Sequence, residues 1–449
     1  MTNSSSSAPL NIGIAGLGTV GSSLIQLLTS KAETLSERCG RPLQVVAVNA
    51  RHKSKDRGVD LSPYRWIDDP VALANDDAID VFVELIGGED GPAYDSVKAA
   101  LQTGKHVVTA NKALLAKHGV ELAALAEGAG RLLNFEAAVA GGIPVIKAMR
   151  ESLTANDVER VYGILNGTCN YILTRMEDEG LTFEACLADA QTLGYAEADP
   201  TFDIEGFDTA HKLAILTSLA FGTKIAGDEI YVEGITKVTI EDIQAASELG
   251  YTIKLLGVAQ RSDTGVEARV HPAMVPTSSP IGQISGVTNA VAIEADVVGS
   301  LMMSGPGAGG DATASAVAGD IADIAKSRPG NQHGPALGQP AAALADYQRA
   351  RMRAHEGGYF IRLSVLDRPG AMAAIATAMA KESISLESIV QRRTSPRDPN
   401  ADHSNEVQPL ILITHETTEE AIRRALDAIR DNGELAAEPQ MIRIEKLGA

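Results

Sequence analysis

Aromatic and sulfur-bearing side chains are scarce in this chain. Phe, Trp and Tyr make up 4% of 449 residues, with one Trp and seven Phe. A core must therefore be assembled from Ala, Val, Ile and Leu, which suits α/β architecture with parallel strands buried on both faces. Three cysteines, Cys39, Cys169 and Cys186, cannot all pair. That excludes a disulfide-stapled scaffold and makes a reducing cytoplasm the simplest home. Basic residues are outnumbered: 39 Lys and Arg stand against 58 Asp and Glu, a formal net charge of −19. Such a surface repels nucleic acid. No apolar run reaches the roughly 20 residues that a membrane span needs, so no membrane is expected. The opening MTNSSSSAPL lacks a charged n-region and an apolar h-region; it reads as a disordered tail, not a secretory signal.

What is present divides into about three domains' worth of chain. The buried strand Asn11–Ala15 runs into Gly16-Leu17-Gly18-Thr19-Val20-Gly21, followed by a helical pattern through Leu24, Leu27 and Leu28. A G-x-G-x-x-G turn between strand and helix lets a pyrophosphate approach the helix start closely. The next strand, Gln44–Asn49, ends in Asn49-Ala50-Arg51-His52-Lys53-Ser54-Lys55. Basic residues there suit a 2′-phosphate, so NADP(H) is favoured, with NAD(H) the alternative. Lys31 to Arg41 reads as an insertion. Strands at Ile79–Leu85 and Lys105–Ala110 follow, the second delivering Asn111 and Lys112 at its carboxyl end, where open α/β sheets hold ligands. Arg131–Glu136 is the last strand of this part. Glu136 and the two-glycine turn after it could present a carboxylate and carbonyl oxygens to a hard cation, or serve only as a hinge.

The character changes after Glu151. Val158–Leu165 alternates as a half-buried strand and ends in Asn166-Gly167-Thr168-Cys169-Asn170, the start of a helix. Its backbone N–H groups could hold a carboxylate, or Asn and Thr could simply cap it. Gly194 to Leu216, GYAEADPTFDIEGFDTAHKLAIL, is dense in acid: Glu197, Asp199, Asp203, Glu205 and Asp208. Asp208, His211 and Lys212 then share one helix face at i, i+3 and i+4. A lysine so tethered can give a proton to a developing alkoxide. Strands at Gly250–Gln260, Val266–Met274 and Val291–Val298 complete an α+β unit. Met303–Asp311 is a second glycine-rich turn, and the small-residue helix Ala312–Ala325 is expected to return to the nucleotide-binding part. Ser327 to about Gln348 reads as a linker. From Gly358 the pattern is βαββαβ, the ferredoxin-like split unit.

These residues carry a resemblance. Gly194–Lys212, Gly163–Leu173 (GILNGTCNYIL), Thr109-Ala110-Asn111-Lys112 and the Leu-Asp-Arg-Pro-Gly turn at 366–370 resemble homoserine dehydrogenase of the bacterial kind with a C-terminal ACT domain, over nearly all of Asn11 to Leu447. The resemblance implies a Rossmann-type doubly wound parallel sheet at 1–145 completed by 305–326. It further implies an α+β catalytic and dimerisation domain at 146–304, a linker at 327–354 and an ACT domain at 355–449. It implies NAD(P)H-dependent reduction of L-aspartate 4-semialdehyde to L-homoserine, in threonine, methionine and isoleucine synthesis. Lys212 would be the proton donor, with Glu197 and Asp208 on substrate and Lys112 on cofactor or substrate. Asn166, Gly167, Thr168, Tyr195 and Asp203 would line the substrate pocket. Gly16, Gly18, Thr19, Val20, Gly21, Asn49, Arg51, Lys53 and Gly305 would face the cofactor. A sodium ion would sit on Glu136 and the carbonyls of Val139, Gly141 and Ile143. A homodimer or homotetramer is implied, with threonine as an effector of the tail. Cys169 stands where the family pattern would carry Thr.

Overall fold

Alternation of buried Val, Ile and Ala builds a first sheet covered on both sides. The computed structural model describes residues 8–327, 334–350, 356–366, 368–391 and 406–445. Strands β1 (Leu10–Ala15), β2 (Leu43–Asn49), β3 (Arg65–Trp66), β4 (Val81–Glu84), β5 (His106–Thr109) and β6 (Leu133–Asn134) lie in the order β3-β2-β1-β4-β5-β6, all parallel. Ile12, Ile14, Val81 and Val83 pack under the helices Thr19–Ser30 and Gly310–Lys326. Phe82, Val107 and Ala47 face Leu73, Val97, Leu101 and Leu114 on the other side. The late helix Gly310–Lys326, rich in Ala, thus completes the first unit, and Gly310 lies against Thr19 and Ser23.

The second sheet contains β7 (Val158–Ile164), β8 (Tyr231–Val232), β9 (Tyr251–Ser262), β10 (Gly265–Pro276), β11 (Thr288–Ala295) and β12 (Gly299–Pro306). It continues without a break into the tail: β13 (Glu356–Leu366), β14 (Leu386–Gln391), β15 (Val407–Thr414), the two-residue β16 (Thr417–Thr418) and β17 (Gln440–Ile444). The path runs β12-β11-β7-β9-β10-β17-β13-β15-β14. The join is a parallel pairing of β10 with β17, Ala273 to Arg443 and Met274 to Ile444. Among the described residues no helix is long and apolar enough to cross a membrane.

Several expectations are corrected. The stretch Lys31–Arg41 is ordered: Ala32–Cys39 is helical, and Cys39 packs beneath Ala322. Met303–Pro306 is not part of a turn but the end of β12, hydrogen-bonded along β11. The described part of the linker is docked, with Leu337, Ala341, Leu344 and Ala350 buried and Ala345 and Gln348 bonded to Gly222 and Val266. The tail keeps a core of its own, around Tyr359, Leu363, Ile375, Leu410 and Ile422, while its sheet runs on from the catalytic unit. Met1–Ser7, Asp367 of the 366–370 turn, and Lys446 and Leu447 lie outside the described residues.

The join is charged and dry. Glu267, Arg269, His271, Glu419, Arg443 and Glu445 are all buried. Glu419, on the tail helix Glu419–Asp431, accepts at one oxygen from both Arg269 (3.0 Å) and Arg443 (3.0 Å). Arg269 also reaches Glu267 at 2.8 Å, and His271 reaches Glu445 at 3.5 Å. Burial works against the charged form of Glu419, but Arg269, Arg423 and Arg443 outweigh it and hold its carboxyl down at about 2. Removing one partner of such a pair strands the others. Glu419→Gln is expected to cost about 3–5 kcal/mol of unfolding free energy, read by denaturant unfolding at neutral pH. A carboxyl depressed in the fold stabilises above its unfolded pKa, so this contribution fades as pH falls from about 4.5 towards 2. A loss below about 1 kcal/mol would show that the join does not rest on Glu419.

Candidate active site

The glycine turn after β1 holds its shape by close approach. Gly16 has φ +100, and a Cβ there would lie 2.2 Å from the Leu85 oxygen; one at Gly21 would lie 2.1 Å from the Gly16 oxygen. A Cβ on Gly18 would meet nothing within 4 Å, so this residue faces open space at the start of the helix Thr19–Ser30, which has no side-chain cap. Thr19 and Val20 form that start. Free N–H groups with room above them fit a dinucleotide's pyrophosphate. Arg51 and Lys53 are exposed on the loop after β2, with Lys53 over the Trp66 ring at 5.8 Å. Arg57, which the sequence reading passed over, ties that loop to the glycine turn: its guanidinium donates to Leu17, Lys55 and His52 carbonyls. Asn49 is less available than expected, because its amide nitrogen already donates to the Ile67 and Asp68 carbonyls.

At the carboxyl end of the same sheet, Glu84 is buried at the tip of β4. It accepts from Ile86 and Gly87 N–H at 2.8 and 3.0 Å and from the Thr109 hydroxyl at 2.5 Å. Asn111 donates to the Gly88 carbonyl at 2.7 Å and caps the helix Lys112–Ala129 through Leu114 N–H. Glu84 and Asn111 together fix where Lys112 begins its helix. Glu84 was also missed, since a Glu inside an apolar strand gives no pattern of its own.

Lys112 then reaches across to the second unit. Its ammonium lies 2.6 Å from one oxygen of Asp208. Lys212, one turn further along the helix Phe207–Phe221, lies 2.8 Å from the other oxygen. Lys212 also donates to the Leu165 carbonyl at 2.7 Å. Asn166 donates to Asp208 and Asp203 at 2.9 and 2.8 Å, while its oxygen caps Cys169 N–H at 2.8 Å. Thr168 donates to the Tyr195 carbonyl at 2.8 Å. Gly167 opens the helix Gly167–Glu179 beside these groups. Burial alone would raise the Asp208 carboxyl, but Lys212 and Lys112 outweigh it and hold it well below the usual range. Asp203 is pushed up by burial and by Asp208 beside it. Burial and then Lys112 pull the Lys212 ammonium below the usual lysine range, against the opposite pull of Asp208.

Not every predicted residue joins this cluster. Glu197 is exposed, and among the described residues only its backbone carbonyl is engaged, by Gln191. Tyr195 is likewise 46% exposed, with its ring against Tyr171. His211 turns away to the Phe202 ring, and burial depresses its pKa. Gly305 lies on β12 near Ile143 and not at the first glycine turn. Cys169 is fully buried, its thiol pushed well above the usual range by burial and Asp203; such a thiol is no nucleophile. Glu136 is buried and raised to about 7, by burial and by Asp320, despite accepting from Lys147 and Ile146 N–H. Gly141 packs on Gly307, and the Ile143 carbonyl accepts from Val145 N–H. Val139 is fully buried in the same short helix. Both Glu136 oxygens and the Ile143 carbonyl are thus already engaged by backbone N–H groups.

Comparison with known proteins identifies three matched stretches of the chain. Residues 144–322 match the model for "Homoserine dehydrogenase", 16–136 that for "Homoserine dehydrogenase, NAD binding domain", and 359–434 that for "ACT domain". The homoserine dehydrogenase of Pseudomonas aeruginosa is 44% identical over 442 residues, covering 98% of this chain and 99% of that one. A homoserine dehydrogenase structure from Thiobacillus denitrificans superposes with a TM-score of 0.91 at 43% identity, over 99% of this chain and 100% of that one. A hyperthermophilic archaeal homoserine dehydrogenase in complex with NADPH gives 0.62 at 27% identity, over 72% of this chain and 100% of that one.

The glycine turn makes a separable prediction. Gly18→Ala adds a methyl where only a ligand would meet it, so it is expected to leave thermal stability unchanged and weaken NADPH binding roughly tenfold or more. Gly21→Ala forces the turn apart and is expected to cost about 1–3 kcal/mol of stability. Calorimetry and fluorescence titration separate the two; equal loss of stability in both variants would remove Gly18 from the ligand surface.

Proposed function

This chain belongs to the homoserine dehydrogenase family and is an oxidoreductase acting on a CH–OH group, and we propose how its own residues carry the reaction. The observation that supports the reading is Asp208 held between Lys112 and Lys212, at the edge of the nucleotide-binding sheet. L-Aspartate 4-semialdehyde is a zwitterion bearing an aldehyde. Asp203 and Asp208 offer carboxylates to its ammonium, and the N–H groups opening the helix at Gly167 and Thr168 offer donors to its carboxylate. Tyr195 borders the pocket, and exposed Glu197 contributes only if the loop turns inward.

A nicotinamide held at the glycine turn would supply the hydride for the carbonyl carbon. The protein's part is charge and proton control. Lys212, kept cationic by Asp208 yet eased by burial, gives its proton to the oxygen that becomes the homoserine hydroxyl. Lys112 orients the same oxygen or the cofactor's carboxamide. Asp208 holds both ammonium groups in place and remains ionised throughout. Gly16, Gly18, Thr19, Val20 and Gly21 would hold the pyrophosphate. Arg51 and Lys53, braced by Arg57, would favour the 2′-phosphate and hence NADP(H) over NAD(H). The archaeal relative bound to NADPH is consistent with that preference. Sodium on Glu136, Val139, Gly141 and Ile143 would stiffen the turn against Gly307. The outer edge of β12 gives copies a surface for a homodimer or homotetramer. Threonine is the proposed effector of the ACT tail.

NADPH consumption on adding L-aspartate 4-semialdehyde, followed at the nicotinamide band, tests the whole reading; no decrease would overturn it. Lys212→Ala should lower kcat by about 10²–10⁴-fold while NADPH still binds. A variant keeping more than about a tenth of kcat would remove Lys212 as donor. The wild-type rate should fall as rising pH deprotonates Lys212, below the ordinary 10.5. Lys112→Met removes a neighbouring positive charge, so the basic limb should move to higher pH even as kcat drops. An unmoved limb would rule out this coupling.

Charge removal at Arg51 and Lys53 should raise KM for NADPH and leave that for NADH nearly unchanged. Equal effects on both would dismiss a 2′-phosphate role.

A further inference from the structure

The chain has one tryptophan, and it stands beside the basic loop after β2. Trp66 ends β3 and pairs with Val48, next to the Asn49 that ends β2. Two cations lie over its indole: the Lys53 ammonium and the Arg57 guanidinium, each 5.8 Å from the ring centroid. Tryptophan is the best of the aromatic partners for a cation. Lys53 is exposed and makes no ion pair or hydrogen bond among the described residues. Its four-carbon stem is flexible, so the ring is what gives its ammonium a preferred place.

The ring itself is fixed. Its N–H donates to one oxygen of Asp68 at 2.8 Å. Asn49 donates to the Ile67 and Asp68 carbonyls at 2.8 and 2.9 Å, and Ile67 N–H donates to the Val48 carbonyl at 3.0 Å. Trp66 also packs with Val59, Leu61 and Tyr64 at the edge of the nucleotide-binding core. Arg57, over the same ring, donates to the Leu17 carbonyl at 3.0 Å and so joins this platform to the glycine turn. The acids of the loop turn back on its own backbone: Asp56 accepts from Gly58 N–H at 3.0 Å and Asp60 from Ser62 N–H at 2.9 Å. Nor does β2 end in a carboxylate. The position that would accept the hydroxyls of an unphosphorylated ribose carries Asn49, and its amide nitrogen is engaged.

We propose that Trp66 is a specificity-determining positioning residue: its indole holds the Lys53 ammonium at the end of β2, where the 2′-phosphate of NADPH arrives. The proposal deepens the 2′-phosphate reading and rests on it. An ammonium already held in place loses less freedom when the anion binds. A free 2′-hydroxyl has no charge to offer that ammonium, so the gain falls on the phosphorylated cofactor. Discrimination then depends on a side chain that acts through Lys53.

Adenosine 2′,5′-bisphosphate and 5′-AMP serve as probes, since they differ only in the 2′-phosphate. In the wild type the bisphosphate should alter the emission of the one tryptophan, and 5′-AMP should alter it far less; equal responses would overturn the proposal. By calorimetry Trp66→Leu should weaken bisphosphate binding about fivefold, and Trp66→Phe less than that. Trp66→Leu should raise the ratio of KM for NADPH to KM for NADH by a similar factor, a ratio that partial loss of folded enzyme does not move. In a Lys53→Met background Trp66→Leu should add less than about twofold, because the ring acts through that ammonium; an undiminished effect would also overturn it. If charge removal at Arg51 and Lys53 affects NADPH alone while Trp66→Leu leaves the ratio unmoved, the ring is not the positioning residue and the 2′-phosphate reading stands. If charge removal affects both cofactors equally, that reading falls and this proposal with it.

Discussion

One carboxylate, Asp208, sets the conditions for everything around it. It is buried, and it touches an ammonium from each unit: Lys112 from the helix after β5 and Lys212 from its own helix. An isolated charge at Asp208 or Lys212, both buried, would be costly. Together with Lys112 and Asp203 they form a set with two cations and two carboxylates, so no net charge is left in a poorly solvated place. The same contact fixes the spacing between the nucleotide-binding sheet and the substrate helix. Chemistry and domain arrangement thus depend on two ion pairs that share one carboxylate, and neither lysine could be exchanged for a neutral side chain without leaving Asp208 half-paired.

Local features were legible before any fold was known. The glycine turn, the Asn166 cap, the i,i+4 pair of Asp208 and Lys212, and the βαββαβ order of the tail each depend on residues close in sequence. What was not legible depends on partners far along the chain. Glu84 looks like a stray acid in an apolar strand until Thr109 and Asn111 arrive beside it. Acid density in 194–208 marked the right loop, yet it does not say which carboxylates turn inward. Asp203 and Asp208 do so because Asn166 donates to both, and Glu197 meets no such donor.

β10 shows the same limit more sharply. Glu267, Arg269 and His271 recur at alternate positions, which reads as a strand with one wet face. In the fold that face is dry, since Glu419, Arg443 and Glu445 come from the tail to meet it. No periodicity within β10 announces a partner more than a hundred residues away. A linker of Pro, Gly and Ala reads as mobile for a related reason. Composition reports the absence of a helix or strand pattern, whereas Leu337 and Ala341 are buried by the surface they lie on.

That join restricts how the tail can influence the reaction. A swinging tail would have to break the β10–β17 pairing and separate Arg269 and Arg443 from Glu419, exposing several buried charges at once. Breaking one such buried pair costs several kcal/mol, whereas an effector's coupling is usually about 1–3 kcal/mol. A rigid-body departure of the tail is therefore too expensive for a small ligand to drive. Small sliding of packed elements across a closed interface is within reach. The segment that joins the helices Thr201–Ile204 and Phe207–Phe221 is fastened to 233–236 by two hydrogen bonds and to the substrate cluster by Asn166, Lys112 and Lys212. Because Asp208 neutralises both lysines, even a short displacement of the start of the helix Phe207–Phe221 would change the charge that Lys212 feels, and with it the readiness of its proton.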